Sequence, residues 1–211
     1  MSERVAGKAP VIEQEASRLR ILRAAAEVAS EAGYEGASIS KITKRSGLPA
    51  SSVYWFFKDK DQLMAEVIRH SFQEWNATQP RWEHVEWDTR SAGEVVRSIL
   101  TRSIRSLEEG PAFLRIGHML LLQGRDVEPE ARQWFLRGRA QIEAEIAAWI
   151  ATYLTPGMLE SRPTLALDLA RIVIAATDGA FLATQAGMPF EPDHFATLIA
   201  AVIETAVAPR D

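Results

Sequence analysis

From about residue 17 to residue 208 the apolar residues recur at intervals of three and four, the spacing of a buried helix face rather than a strand. No run of alternating β-branched residues occurs, and no Asn-Gly or Asp-Gly turn joins two such runs. The chain is therefore expected to be all-α. The first helix is expected over Ser17 to Ala32, with Leu19, Leu22, Ala26 and Ala29 on one face and Gly33 closing it. A short helix follows, with Ser38 as its N-cap and Gly47 at its end. A third starts near Pro49 and runs to about Phe57.

A fourth helix, from Lys60, carries Leu63, Val67, Ile68 and Phe72 and ends before Pro80; Trp82 to Trp87 reads as an irregular connection. Further helices are expected over 91–109, 111–123, 129–154, 164–187 and 192–208. Gly110-Pro111, Gly124, Pro156-Gly157, Pro163, Pro189 and Pro192 separate them.

Several classes of protein fit poorly. There is no cysteine, hence no disulfide framework and no thiolate metal site, which suits a reducing cytoplasm. The opening MSERVAGKAPVIEQE lacks the apolar core of a secretory signal. Leu165 to Phe190 is the most apolar stretch, but Asp168, Arg171 and Asp178 interrupt it and favour a buried helix over a bilayer span. The expectation is a cytoplasmic protein that does not enter the membrane. His70, His84, His118 and His194 form no zinc pattern, and neither a nucleophile elbow nor a phosphate-binding glycine loop occurs. No cofactor, metal site or catalytic residue is expected. Net charge is −4, yet residues 1–70 hold 11 Lys/Arg against 9 Asp/Glu while the remainder holds 13 against 19. A slightly basic head on an acidic body permits local phosphate contact.

The informative segment is Ser38 to Lys60, SISKITKRSGLPASSVYWFFKDK. Two short helices are joined by Ser46-Gly47-Leu48-Pro49, a glycine-containing turn of the helix-turn-helix kind. With Ile42, Leu48, Val53 and Phe57 inward, Ala50, Ser51, Tyr54, Trp55 and Lys58 lie on the outward stripe of the second helix. Small residues at a helix start allow close approach to base edges in a major groove, and Ser51, Ser52, Tyr54 and Lys60 are suitable phosphate donors. A helical hairpin with an incidentally exposed aromatic patch satisfies the same pattern.

From Arg18 to Val67 the chain resembles the N-terminal domain of the tetracycline-repressor (TetR) family of bacterial transcriptional regulators. The resemblance rests on Ile21-Leu22-x-Ala24-Ala25, Gly33-Tyr34, Ser38-Ile39 with Ile42, Ser46-Gly47-Leu48, and the run Ser52 to Asp61 with Leu63. It implies backbone-phosphate contacts at Tyr54 and Lys60 and a hydroxyl contact at Ser52. It places base reading at Pro49, Ala50 and Ser51, with Trp55 beside them, and a groove-facing helix start at Ser38, Ser40 and Lys41. Departures from the family pattern are Ser51 for a glycine, Phe56 for a histidine, and Thr43 and Ser46 for alanines.

The resemblance also implies a flexible N-terminal arm over 1–16, a helix-turn-helix domain over 17–62, and a helical regulatory and dimerisation domain over 63–208. Residues 63–79 would form the connecting helix. Repression relieved by a small effector is the family's usual mode. Helix 164–187 is apolar around much of its circumference, and 192–208 adds Phe195, Leu198, Ile199, Val202 and Ile203. A twofold contact between copies would cover both, as would an intrachain core. Aromatic residues and a few polar groups nominate an effector pocket from Trp82, Phe113, Arg115, His118, Met119, Trp134, Trp149, Asp178 and Phe181. Such a lining favours a hydrophobic or aromatic effector. The partners expected are thus operator DNA, a small molecule and a second copy of the chain. The competing classes are a helical scaffold for other proteins and a helical enzyme.

Overall fold

The computed structural model describes residues 8–83, 90–108, 110–122 and 129–208, and among them every regular element is an α-helix. In chain order these are α1 (Lys8–Gly36), α2 (Ile39–Ser46), α3 (Ala50–Phe56), α4 (Lys60–Thr78) and α5 (Ala92–Ser106). They continue with α6 (Ala112–Leu122), α7 (Glu130–Ala151), α8 (Pro156–Ser161), α9 (Leu165–Gln185) and α10 (Pro192–Val207). The helical spacing of the sequence thus translates into helices at the expected places. Within the expected arm, residues 1–7 lie outside the described residues, as do 84–89 of the irregular connection and the break at Gly124.

Two boundaries differ from the sequence expectation. α1 begins at Lys8, well before Ser17. Ile12 to Ala16 are all exposed and carry no buried face for periodicity to register. Glu13, Gln14, Glu15 and Ala16 are nonetheless strong helix formers, and extending an existing helix costs little. The buried stripe of α1 is also rotated: Ile21, Leu22, Ala24, Ala25, Val28 and Ala29 are buried, whereas Leu19 and Ala26 are only partly so. The second difference is α8, where the sequence suggested only a break. Thr155 caps it by accepting the Met158 N–H, and Pro156 occupies the first turn, where a missing N–H costs nothing.

The chain forms two compact units. The first comprises the described residues of Met1–Trp75 and Pro111–Arg137. In it α1 packs against α2, α3 and α6, and Ile21, Ile42, Val53, Phe57 and Leu63 are almost fully buried. At about 1.5–3 kcal/mol for each large apolar side chain removed from water, this small core suffices to hold short helices that would not persist alone. Gly33, at φ +73°, breaks the regular helix of α1 where a side chain would be strained, so the chain turns toward α2. Gly117 lets α6 pass under Phe135, whose ring atoms would lie 2.3–2.5 Å from any β-carbon there.

The second unit comprises the described residues of Asn76–Gly110 and Gly138–Asp211. Its broadest helix pair is α5 with α10, and α9 joins both. Val96, Leu100, Ile104, Ile150, Val173 and Ile203 lie in one continuous apolar cluster. Ser91 and Glu94 close a capping box at the start of α5, and the Gly93 N–H donates to the Glu204 carboxylate of α10. Among the described residues, no helix is long and apolar enough to cross a membrane.

Candidate nucleic-acid interface

The segment from Ser38 to Lys60 is built as a helix, a tight turn and a second helix. Ser38 caps α2 by accepting the Lys41 N–H, and Gly47 ends it in the left-handed region at φ +66°, its N–H returning to the Thr43 carbonyl at 2.9 Å. Arg20 reaches from α1 to the Ser46 carbonyl and satisfies another open acceptor at that helix end. Pro49, extended at ψ 159°, then starts α3 with no side-chain cap.

α3 divides cleanly into two faces. Val53 is buried, as is Phe57, which follows the helix; Leu48 in the turn is half-buried. On the opposite face Ala50, Ser51, Tyr54 and Lys58 are exposed, with Tyr54 at 56% and Trp55 at 65% of their full surface. Folding has left two large aromatic rings in water beside small residues and hydroxyls. The Trp55 ring meets the edge of Phe56, at 4.6 Å between centroids. Ser52 is half-buried. Ser38, Ser40 and Lys41 stand exposed at the start of α2, and Pro49 is exposed before α3. The residues nominated from sequence therefore lie on α2, α3, their N-caps Ser38 and Pro49, and the first residue of α4.

The cations sort into two groups. Arg45 is committed to α1, with bonds to Glu27 at 2.8 Å and to Glu31 at 2.8 and 3.1 Å. Those bonds raise its pKa, and the Arg45 guanidinium lowers that of Glu31. Arg18 and Arg69 both bind Glu66, whose carboxyl is held below its ordinary value chiefly by the hydrogen bond from Arg69. Lys41 and Lys60 instead rest on the C-terminal end of α1. Lys41 Nζ donates to the Gly36 carbonyl at 2.9 Å. Lys60 Nζ donates to the Tyr34 carbonyl at 3.3 Å and lies 4.7 Å from the Tyr34 ring centroid. Cations are favoured at the negative end of a helix dipole, which is where both ammonium groups sit.

Sequence reasoning missed two parts of this surface. Glu13, Gln14 and Ser17 of α1 face Ser51, Ser52 and Trp55 across an open groove; no helix was expected before Ser17. Glu35 and Asp61, which bond to Lys60 and Tyr34 respectively, gave no signal beyond an acidic residue in the first turn of α4.

The residues nominated for an effector fall in both units. In the first, Phe113 is buried among Phe72, Trp75 and Phe135, and His118 abuts Phe135 while its Nδ1 lies 2.7 Å from the Leu114 carbonyl. Arg115 and Met119 are half-buried on the same helix, and the Trp134 ring lies under the Arg137 guanidinium. In the second, Trp82 packs on Trp149, itself buried, and Phe181 is buried on α9. Asp178 takes a two-pronged bond from Arg139, at 2.8 and 2.5 Å.

These features define an all-helical protein whose N-terminal unit presents a helix-turn-helix. Residues 21–67 match the family model for bacterial regulatory proteins of the tetR family. Over 52 residues it is 40% identical to an uncharacterized HTH-type transcriptional regulator, YdgC, of Bacillus subtilis, a match covering 25% of this chain and 27% of that protein. The match thus spans about a quarter of the relative's length. Solved structures extend the likeness of fold to nearly the whole chain. A transcriptional regulator of Rhodococcus sp. Rha1 superposes with a TM-score of 0.69 at 21% identity, covering 91% of this chain and 99% of that one. FadR of Bacillus subtilis, in complex with stearoyl-CoA, gives 0.66 at 15%, covering 89% and 98%.

Proposed function

We propose that this protein is a transcriptional regulator that binds operator DNA as a homodimer and is released, as a repressor, by a small hydrophobic effector. The observation that carries the reading is the outward face of α3, where Tyr54 and Trp55 remain largely in water while the same helix buries Val53. A soluble protein exposes such rings in a cluster where a partner covers them. Ala50 and Ser51 let the helix approach base edges, Tyr54 and Ser52 donate to phosphates, and Trp55 offers an apolar surface to a thymine methyl. Ser38, Ser40 and Lys41 flank the same groove, and Lys60 supplies a phosphate contact after exchanging its intramolecular acceptors.

The second copy is assigned to α9 and α10. Leu182 and Leu198 are 51% and 53% exposed, and Ile172 and Val202 lie exposed on the same helices. Covering those residues with their counterparts satisfies both helices and sets two recognition helices at a fixed spacing. The effector is assigned to the aromatic residues nominated in the first unit, Phe113 and Trp134. The stearoyl-CoA bound by FadR supports an acyl thioester as the first compound to try. Effector and operator would prefer different conformers, so each weakens the other. The protein acts in the cytoplasm and carries no catalytic step of its own.

Selection from random duplexes tests this reading. The full chain should enrich an inverted repeat whose half-sites lie about 34–36 Å apart, and stearoyl-CoA should displace it. Failure to enrich any sequence would sink the proposal.

A further inference from the structure

Pro129 opens α7 with no side-chain acceptor, and its own carbonyl serves the N–H groups of Arg132 and Gln133. The Glu130 N–H therefore needs a partner from elsewhere. It finds Asp61, the second residue of α4, whose Oδ2 accepts it at 2.9 Å. A carboxylate at a helix start is also favoured by the helix dipole. The other oxygen of Asp61 accepts the Tyr34 hydroxyl at 2.8 Å. Tyr34 is buried, and its carbonyl and ring face are the surfaces on which Lys60 rests. One carboxylate thus joins the first turn of α7 to the residue that seats a candidate phosphate contact.

We propose that Asp61 is a positioning residue through which the first turn of α7 and the DNA face regulate each other. The inference rests on the reading of Lys60 as a phosphate contact and adds to it a route of control. A phosphate that draws Lys60 off Tyr34 removes the cation from the ring and the donor from the carbonyl. The Tyr34 side chain then loosens, and with it the carboxylate that caps α7. Displacement of the first turn of α7 acts in reverse, shifting Asp61, Tyr34 and the seat of Lys60. Linkage between two binding events is reciprocal, so both directions follow from one network. Lys41, seated on the Gly36 carbonyl, and Arg45, held by Glu27 and Glu31, bond instead to α1.

Hydrogen exchange on the full-length protein tests this, with a saturating mixed-sequence duplex at low ionic strength as the probe. Peptides covering 38–60 report binding, and peptides covering 130–136 report the cap. In the wild type the duplex should slow exchange over 38–60 and quicken it at least about threefold over 130–136. In Asp61→Asn, and in Tyr34→Phe, which removes a single hydroxyl and preserves the buried ring, the response over 130–136 should vanish. The inference is overturned if 130–136 ignores the duplex while 38–60 is protected, or if the response survives in Tyr34→Phe. If no complex forms and neither segment responds, the DNA-binding reading falls first and the coupling with it.

Discussion

The ammonium of Lys60 lies 3.4 Å from the carboxylate of Glu35. Glu35 is exposed, so the pair is a weak, screened one, of the kind worth about 0.2–1 kcal/mol. Its effect on DNA binding has a definite sign. Glu35→Gln should raise duplex affinity about two- to fivefold, as followed by fluorescence anisotropy, because Lys60 then has one fewer competitor to leave. Weaker binding by the variant would show that Glu35 orients Lys60 rather than competing for it.

Gly117→Ala should destabilise the first unit. The added carbon would stand 2.3–2.5 Å from the ring of Phe135, which is buried and cannot swing aside cheaply. Overpacking of this kind costs about 1–3 kcal/mol and should lower the melting temperature by several degrees. Pairing the change with Phe135→Leu should recover part of the loss. An unaltered melting curve for Gly117→Ala would contradict the packing described.

These two sites show what the sequence made legible and what it did not. The helix-turn-helix was readable because Ile42, Val53 and Phe57 repeat at helical spacing and Ser38 and Gly47 mark one helix end each. Its outward stripe followed by subtraction. The start of α1 was not readable, since residues that touch no core leave no periodic trace. Long-range pairings were equally silent: Glu35 with Lys60 is separated by 25 residues and Asp61 with Glu130 by 69. Arg139 with Asp178 shows the same thing from the other side. Asp178 stood out as an ionisable group in an apolar helix, but only the fold reveals the guanidinium that faces it.

Acid stability should depend on Glu66. Its carboxyl is held below the ordinary glutamate value of 4.5 by the hydrogen bond from Arg69, with the charges of Arg69 and Arg18 adding to it and burial opposing. A lowered folded-state pKa means that the unfolded chain binds the proton more readily. The stabilisation is therefore complete above about pH 4.5 and fades as pH falls through the folded value. Glu66→Gln should be less stable than the wild type at neutral pH, with the gap narrowing below pH 4.5 in chemical denaturation. A gap independent of pH would remove the electrostatic account.

Leu198→Asp should yield monomers. The side chain is exposed on α10 in the single chain, so the change leaves the intrachain core alone and places a charge where a second copy would sit. Sedimentation velocity should show the wild type as a dimer and the variant at half its mass, with helical content retained by circular dichroism. A variant that stays dimeric would move the contact away from α10.

The most direct test of the whole account is the salt dependence of duplex binding. Each phosphate neutralised on B-DNA contributes about −0.9 to the slope of log K against log salt. The wild type should bind with a slope of several such steps, and Lys60→Gln should lose about one of them at every salt concentration measured. No affinity for any duplex at low ionic strength, or a slope untouched by removal of the Lys60 charge, would contradict the assignment of this surface to DNA.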